Sequence, residues 1–169
     1  MFSIDDVVHY GSYGACRIID IADREFCGVT GRYYVLEPVF DDRCTYYVDV
    51  NNELAAARLR PALGAEQAER LVAQLPDAEE QWLDNPKQRR SLYGEIISRG
   101  DRLELVGLIK ALRLHERRQR DCGKKLNMSD EQSLRLAEKM IGQELALSLG
   151  LSPEEAVARV AERLEQTAG

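Results

Sequence analysis

Two hydrophobic periods divide this chain. Across residues 1–50, short β-branched and aromatic runs alternate with turn-forming residues. Val7, Val8 and Tyr10 form a first β-prone run, and Gly11 and Gly14 bracket Ser12-Tyr13 as a turn. Ala15 to Ile21 reads as a second strand, with a hairpin loop around Gly28 and Gly31. Tyr33-Tyr34-Val35-Leu36 is a third strand, Asp41-Asp42-Arg43 a tight turn, and Cys44 to Val50 a fourth strand. Runs of this composition and spacing predict a small, strongly bent antiparallel sheet or barrel.

From about residue 62 the apolar positions recur at helical spacing. Ala65 to Leu75 is one predicted helix, stopped by Pro76. Asp77 with Glu80 has the form of a capping box just before Trp82-Leu83, and Asn85-Pro86 redirects the chain. A helix from Lys87 to about Arg99 carries an apolar stripe of Leu92, Tyr93, Ile96 and Ile97, and Gly100 ends it. Asp101 caps the next helix, whose Leu105, Val106, Leu108, Ile109 and Leu112 predict a mostly buried element. Arg113 to Lys125 is polar and basic, with Gly123 as a stop. Ser129 with Gln132 opens a helix to about Leu149, and Ser152-Pro153-Glu154-Glu155 opens the last one, to about Glu165. The expectation is an α+β chain: a β module over 1–60, then a bundle of about five helices over 61–169.

Composition narrows the class. Of 169 residues, 44% are hydrophobic and 31% charged, which excludes a fully disordered chain. No apolar run approaches the roughly 18–20 residues of a bilayer span. The opening MFSIDDVVHYG lacks the basic flank and apolar core of a signal peptide, so a cytoplasmic protein without membrane contact is expected. Cys16, Cys27, Cys44 and Cys122 have no metal-like spacing, and only His9 and His115 could join them. Reduced thiols and no metal are expected, with Cys16 and Cys44 buried in strands. His115 reads as ending a helix, at its negative pole.

The net charge of −6 hides an asymmetry. Residues 1–69 hold six basic and twelve acidic groups, whereas residues 70–169 hold seventeen of each. Residues 86–125 concentrate Lys87, Arg89, Arg90, Arg99, Arg102, Lys110, Arg113, Arg117, Arg118, Arg120, Lys124 and Lys125 against Glu95, Asp101, Glu104, Glu116 and Asp121, a net of +7. Lys and Arg gathered on one surface neutralise phosphates and set affinity rather than sequence choice. Lys87, Arg89, Arg90, Arg99 and Arg102 surround a helix–turn–helix-like corner, and an ordinary solvated helix face is the competing reading. Trp82, the single Trp, is either core or an exposed ring that stacks on an opened base or wedges at a distorted step. The glycines make neither a Walker loop nor a dinucleotide fingerprint, and no carboxylate pair or nucleophile–base set can be assembled. Nothing here points to an enzyme or a cofactor.

In their order and spacing, these segments resemble the CarD/CdnL family of bacterial transcription regulators that bind RNA polymerase. FSIDDVVHYGSYGACRIIDI resembles the family's opening; Gly28 and YYVLEP match the next two elements. TYYVDV resembles the strand ending in Val-Pro, with Asp49 in place of the Pro. ISRGDRLELVGLIKAL resembles the Ser-Gly-Asp helix junction with Arg99 inside it, and KKLNMSDEQSLRLAEKMIGQELALSLG the Leu-Ser-x-x-Glu helix beyond. The resemblance implies a Tudor-like β domain, shared with the transcription-repair coupling factor, that docks on the polymerase β subunit. It also implies a helical domain that touches promoter DNA, without reading sequence, near the upstream edge of the bubble. A basic residue after the second strand falls on Arg24. A second polymerase contact falls on the strand Thr45-Tyr46-Tyr47, with Tyr46 and nearby Arg43 as candidates. A Trp of the family wedges into the minor groove and slows bubble collapse. Counted back from Asp101, its place falls on Pro86, four residues beyond Trp82. The expected DNA set is Trp82, Lys87, Arg89, Arg90, Arg99 and Arg102. No cofactor is implied, and the chain is expected to act as a monomer near the nucleoid. The alternative is an adaptor whose helical domain binds a protein.

Overall fold

The computed structural model of the chain describes residues 1–41 and 44–166. The chain divides into two units, Met1–Ala62 and Leu63–Gly169, two residues past the expected boundary.

The first unit is a five-stranded antiparallel sheet in the order β4-β3-β2-β1-β5, formed by β1 (Val7–Tyr10), β2 (Ala15–Phe26), β3 (Val29–Pro38), β4 (Tyr46–Asp49) and β5 (Leu59–Pro61). Its centre is a hairpin longer than the sequence pattern indicates. β2 and β3 pair from Cys16↔Pro38 to Phe26↔Val29, across a tip where Cys27 and Gly28 both have positive φ (52° and 79°). Two successive left-handed residues make the tight turn whose twist suits a hairpin, and glycine takes that conformation without strain. Gly31, expected in the loop, lies inside β3.

The alternation in β2 breaks at a bulge between Ile18 and Asp20. Cys16 and Ile18 face the core before it; beyond it Ile21 pairs with Tyr34, and the skipped Ile19 is exposed. Asp20 steadies the irregularity by accepting the Ile21 N–H at 2.8 Å. The core is Val8, Cys16, Ile18, Tyr34, Leu36, Val48 and Leu59. Cys44 is exposed and precedes β4 rather than lying buried within it, a correction to the strand expected over 44–50. A short helix, α1 (Glu53–Ala56), and β5 follow where no alternating pattern announced them.

The second unit holds α2 (Ala65–Gln74), α3 (Pro86–Arg99), α4 (Arg102–Asp121), α5 (Met128–Leu149) and α6 (Pro153–Glu165). Their facing stripes fuse into one core around Tyr93, Ile96, Leu105, Leu108, Leu112, Ile141 and Leu145. The fold is α+β. Two expected helix starts are corrected. Asp77 with Glu80 opens no helix, because a 3-10 turn over Leu75–Asp77 runs into an irregular segment up to Asn85. α5 is capped by Asn127, whose Oδ1 accepts the Asp130 N–H at 2.8 Å, rather than by Ser129. α4 continues to Asp121, so His115 sits inside it and not at its end.

Candidate nucleic-acid interface

The irregular segment between Ala78 and Asn85 is held down by groups that substitute for the helix hydrogen bonds it lacks. Lys110 Nζ on α4 donates to the carbonyls of Pro76 (2.5 Å) and Ala78 (3.0 Å). The Gln81 N–H donates to the Gly107 carbonyl at 3.2 Å. The buried Tyr93 hydroxyl donates to the Gln81 carbonyl at 2.8 Å, and its burial pushes the phenol pKa up, so the donor proton stays in place. Gly107 makes the approach possible: a Cβ there would lie 2.2 Å from the Glu79 carbonyl oxygen.

This anchored segment delivers Trp82 to the surface, half-buried. Its indole Nε1 donates to Asp84 Oδ1 at 2.9 Å. The Arg89 guanidinium carbon lies 4.3 Å from the ring centroid, and the His115 ring centroid lies 4.4 Å away at 38°. Burial and the neighbouring Arg89 cation lower the His115 pKa, so the imidazole is neutral at pH 7. Gln119 Nε2 sits 3.3 Å from His115 Nε2, within hydrogen-bonding distance.

Arg89 is the centre of this arrangement. Its side chain is 5% exposed, as is that of Asp130 at the start of α5. Arg89 Nε donates to Asp130 Oδ1 at 3.0 Å and Nη2 to Asp130 Oδ2 at 2.7 Å, a bidentate pair. Nη1 donates to the carbonyls of Leu83 (2.9 Å) and Asp84 (3.4 Å). The carboxylate hydrogen bond outweighs burial and raises the guanidinium pKa. Arg89 therefore presents no free charge, which corrects its expected place among the phosphate contacts: a salt bridge joins α3 to α5 in the interior instead.

The remaining cations sort by partner. Arg99 is half-exposed and chelated by Glu104, with Nε and Nη2 each at 3.0 Å, and Glu95 lies 3.7 Å from its Nη1. Arg102 pairs with the buried Glu144, and Arg113 with Glu138 and Glu116. In contrast, the Lys87 and Arg90 side chains stand exposed on the first turn of α3 and just past it, with no partner among the described residues. That turn is fixed by Pro86 at its first position and by Asn85, whose Oδ1 accepts from Lys87 N at 3.0 Å and Gln88 N at 3.1 Å. Arg117, Arg118, Arg120, Lys124 and Lys125 are also exposed and unpaired among the described residues. They lie toward the end of α4 and past it, and only the charge of the basic window pointed to them. Asp130, Lys110, Gly107 and His115 reach the Trp82 segment from more than twenty positions away. No local pattern marks them.

In the sheet unit, Arg24 is exposed on β2, its Nη2 3.5 Å from Asp20 Oδ2 and its Nη1 donating to the Asp23 carbonyl at 3.1 Å. Tyr46 lies on the edge strand β4, its ring 4.7 Å from that of Tyr13 and 5.8 Å from that of Tyr10. Burial, with a side-chain hydrogen bond to Cys44, pushes the Tyr46 phenol up to about 12. Arg43 lies outside the described residues. Among the described residues no cluster of His, Cys, Asp and Glu could hold a metal ion, and no helix is long and apolar enough to cross a membrane.

The chain is thus a small antiparallel sheet unit followed by a helical unit that exposes cations with no partner among the described residues. Residues 2–54 match the CarD-like/TRCF RID domain, a Tudor-like domain, and residues 70–161 match the CarD C-terminal domain. The chain belongs to the CarD/CdnL family, whose members are non-enzymatic, and its domains are those of an RNA-polymerase-interacting transcription regulator. A comparison with curated proteins returns no match.

Proposed function

We propose that this protein docks on the β subunit of RNA polymerase through its sheet unit and places Trp82, Lys87 and Arg90 against promoter DNA at the upstream edge of the bubble, altering the lifetime of the open complex. The observation that carries this reading is a half-buried indole held between Arg89 and His115, close in sequence to Lys87 and Arg90, two exposed cations with no partner among the described residues. An aromatic wedge pays for unstacking a base step by holding the distorted form, and the cations fix its register on the backbone. Arg24 and the edge strand β4 with Tyr46 supply the polymerase side, since a sheet edge leaves backbone donors and acceptors free to pair. Arg43 keeps the place that the family resemblance gives it.

The test is the dissociation rate of open complexes challenged with competitor DNA. Stacking of one aromatic on one base is worth about 1–3 kcal/mol. Removing it by Trp82→Ala changes the rate by roughly 5- to 150-fold, at tenfold per 1.36 kcal/mol. Lys87→Glu with Arg90→Glu is expected to abolish the effect on lifetime while polymerase binding is retained. Unchanged lifetimes in both variants would reject the DNA half and leave the adaptor reading.

A further inference from the structure

We propose that Arg89 is the positioning residue of Trp82: its buried ion pair with Asp130 is the clamp that sets the indole in the orientation used on DNA. The inference rests on the wedge reading above and deepens it. The geometry is that of a lock with three arms. The first arm is the bidentate pair to Asp130, at 3.0 and 2.7 Å, which ties α3 to the first turn of α5. The second is Nη1, which takes the carbonyls of Leu83 and Asp84 and so fixes the backbone on the C-terminal side of Trp82. The third is the flat guanidinium face, 4.3 Å from the indole centroid. A planar fork can serve all three at once because its donors lie at its edge and its face stays free for the ring. On the other helix of the cradle, His115 packs against the same indole.

A guanidinium on a side chain only 5% exposed, already donating to four protein acceptors, has little left to offer a phosphate. It does restrict the rotational freedom of the half-buried indole that the wedge reading sets on DNA. An indole already immobilised loses less entropy on insertion than one that must first be ordered. Lysine cannot replace arginine here. An ammonium can reach Asp130, but it has no edge-and-face geometry to hold the Leu83 and Asp84 carbonyls and cover the ring together.

The experiment uses the full chain with polymerase and a promoter. Four proteins are compared: wild type, Trp82→Ala, Arg89→Lys and the double variant. Trp82 is the chain's single Trp, so emission and anisotropy report its ring alone. For Arg89→Lys the expected result is a red-shifted emission, a lower anisotropy in the free protein, unchanged polymerase affinity, and an open-complex dissociation rate moved at least fivefold toward that of Trp82→Ala. In the Trp82→Ala background the same substitution is expected to have no further effect, because Arg89 acts through the ring it positions. Asp130→Asn, which keeps the volume but removes the charge, serves as the second variant should Arg89→Lys fail to fold. Its emission and its rate are expected to move the same way. Wild-type emission and lifetime in a folded Arg89→Lys protein, with Trp82→Ala strongly impaired, would overturn the clamp while leaving the wedge. An additive loss in the double variant would also overturn it, because Arg89 would then act on its own. A Trp82→Ala protein with wild-type lifetimes would overturn the wedge itself.

Discussion

Gly107 shows how much one methyl group can decide. The Trp82 segment runs so close over α4 that an added Cβ would meet the Glu79 carbonyl oxygen at 2.2 Å and the Gln81 Cγ at 3.1 Å. Gly107→Ala must lift that backbone, breaking the Gln81 N–H to Gly107 bond and the Tyr93 hydroxyl to Gln81 bond. Overpacking of this kind costs about 1–3 kcal/mol, to be read as a lower urea midpoint together with a shifted Trp82 emission. His115 gives a second prediction at the same scale. Arg89 from α3, Asp130 from α5, and Arg118 and Gln119 from its own helix face it; burial and the two arginines lower its pKa against the opposing Asp130 carboxylate. A lowered folded pKa means that the unfolded chain binds the proton more readily. The contribution of His115 to stability is therefore fully present above its ordinary value of 6.5 and is lost as pH falls from there through the lowered folded pKa. His115→Gln is expected to flatten the fall in urea midpoint between pH 7.5 and 5.5, and to remove a Trp82 emission titration whose midpoint lies below 6.5. A wild-type emission that is flat over this range would reject the contact as the source.

At the scale of the element, the first turn of α3 is where fold and site meet. Asn85 caps it, Pro86 starts it, Lys87 projects from it with Arg90 just past it, and Arg89 pins it inward. Asn85→Ala is expected to cost about 1 kcal/mol of stability. It should also speed amide hydrogen exchange at Lys87 and Gln88, which lose their acceptor, while the Tyr93 and Ile96 amides deeper in the helix stay protected. The helix itself was legible from sequence, as were the buried stripes of α4 and α5, because an apolar period of three to four residues is a local signal. The Asn85-Pro86 start and the Gly100 stop were legible for the same reason. The Trp82 segment was not. Asp77 and Glu80 carry a helix-start pattern, but Lys110, Gly107 and Tyr93 offer that backbone better partners, and tertiary hydrogen bonds overrode a local preference. Arg89 was misread through the same blindness. Beside Lys87 and Arg90 it is one more positive charge, and only Asp130, forty-one positions on, turns it inward. In the sheet, the Ile18–Asp20 bulge shifted the alternation by one residue, and β5 was too short to have a period at all.

At the scale of the whole molecule, the division into two units gives the proposed function its economy. The sheet region is acidic overall and about half of the basic residues of the helical region are taken up by internal partners, so weak affinity for free duplex DNA is expected. Attachment to polymerase raises the local concentration of the helical unit at the promoter, and contacts too weak to act alone then suffice. The two surfaces accordingly fail differently. Arg24→Glu is expected to remove attachment, so that the variant loses its effect on open-complex lifetime and does not compete with wild type for polymerase. Trp82→Ala is expected to keep attachment and lose the proposed wedge, occupying polymerase without acting. Mixed in equal amounts with wild type under saturating conditions, it is expected to halve the fraction of promoters showing the wild-type lifetime, while Arg24→Glu leaves that fraction unchanged. The charge pair adds a salt signature. Each phosphate contact contributes about 0.9 to the slope of log affinity against log salt, so Lys87→Ala with Arg90→Ala should lower that slope by about 2 for the promoter-bound complex. Trp82→Ala, an uncharged change, should leave the slope as it is. A slope that did not respond to loss of the two cations would place DNA contact elsewhere on the helical unit, where Arg117, Arg118, Arg120, Lys124 and Lys125 are among the exposed cations without a partner among the described residues.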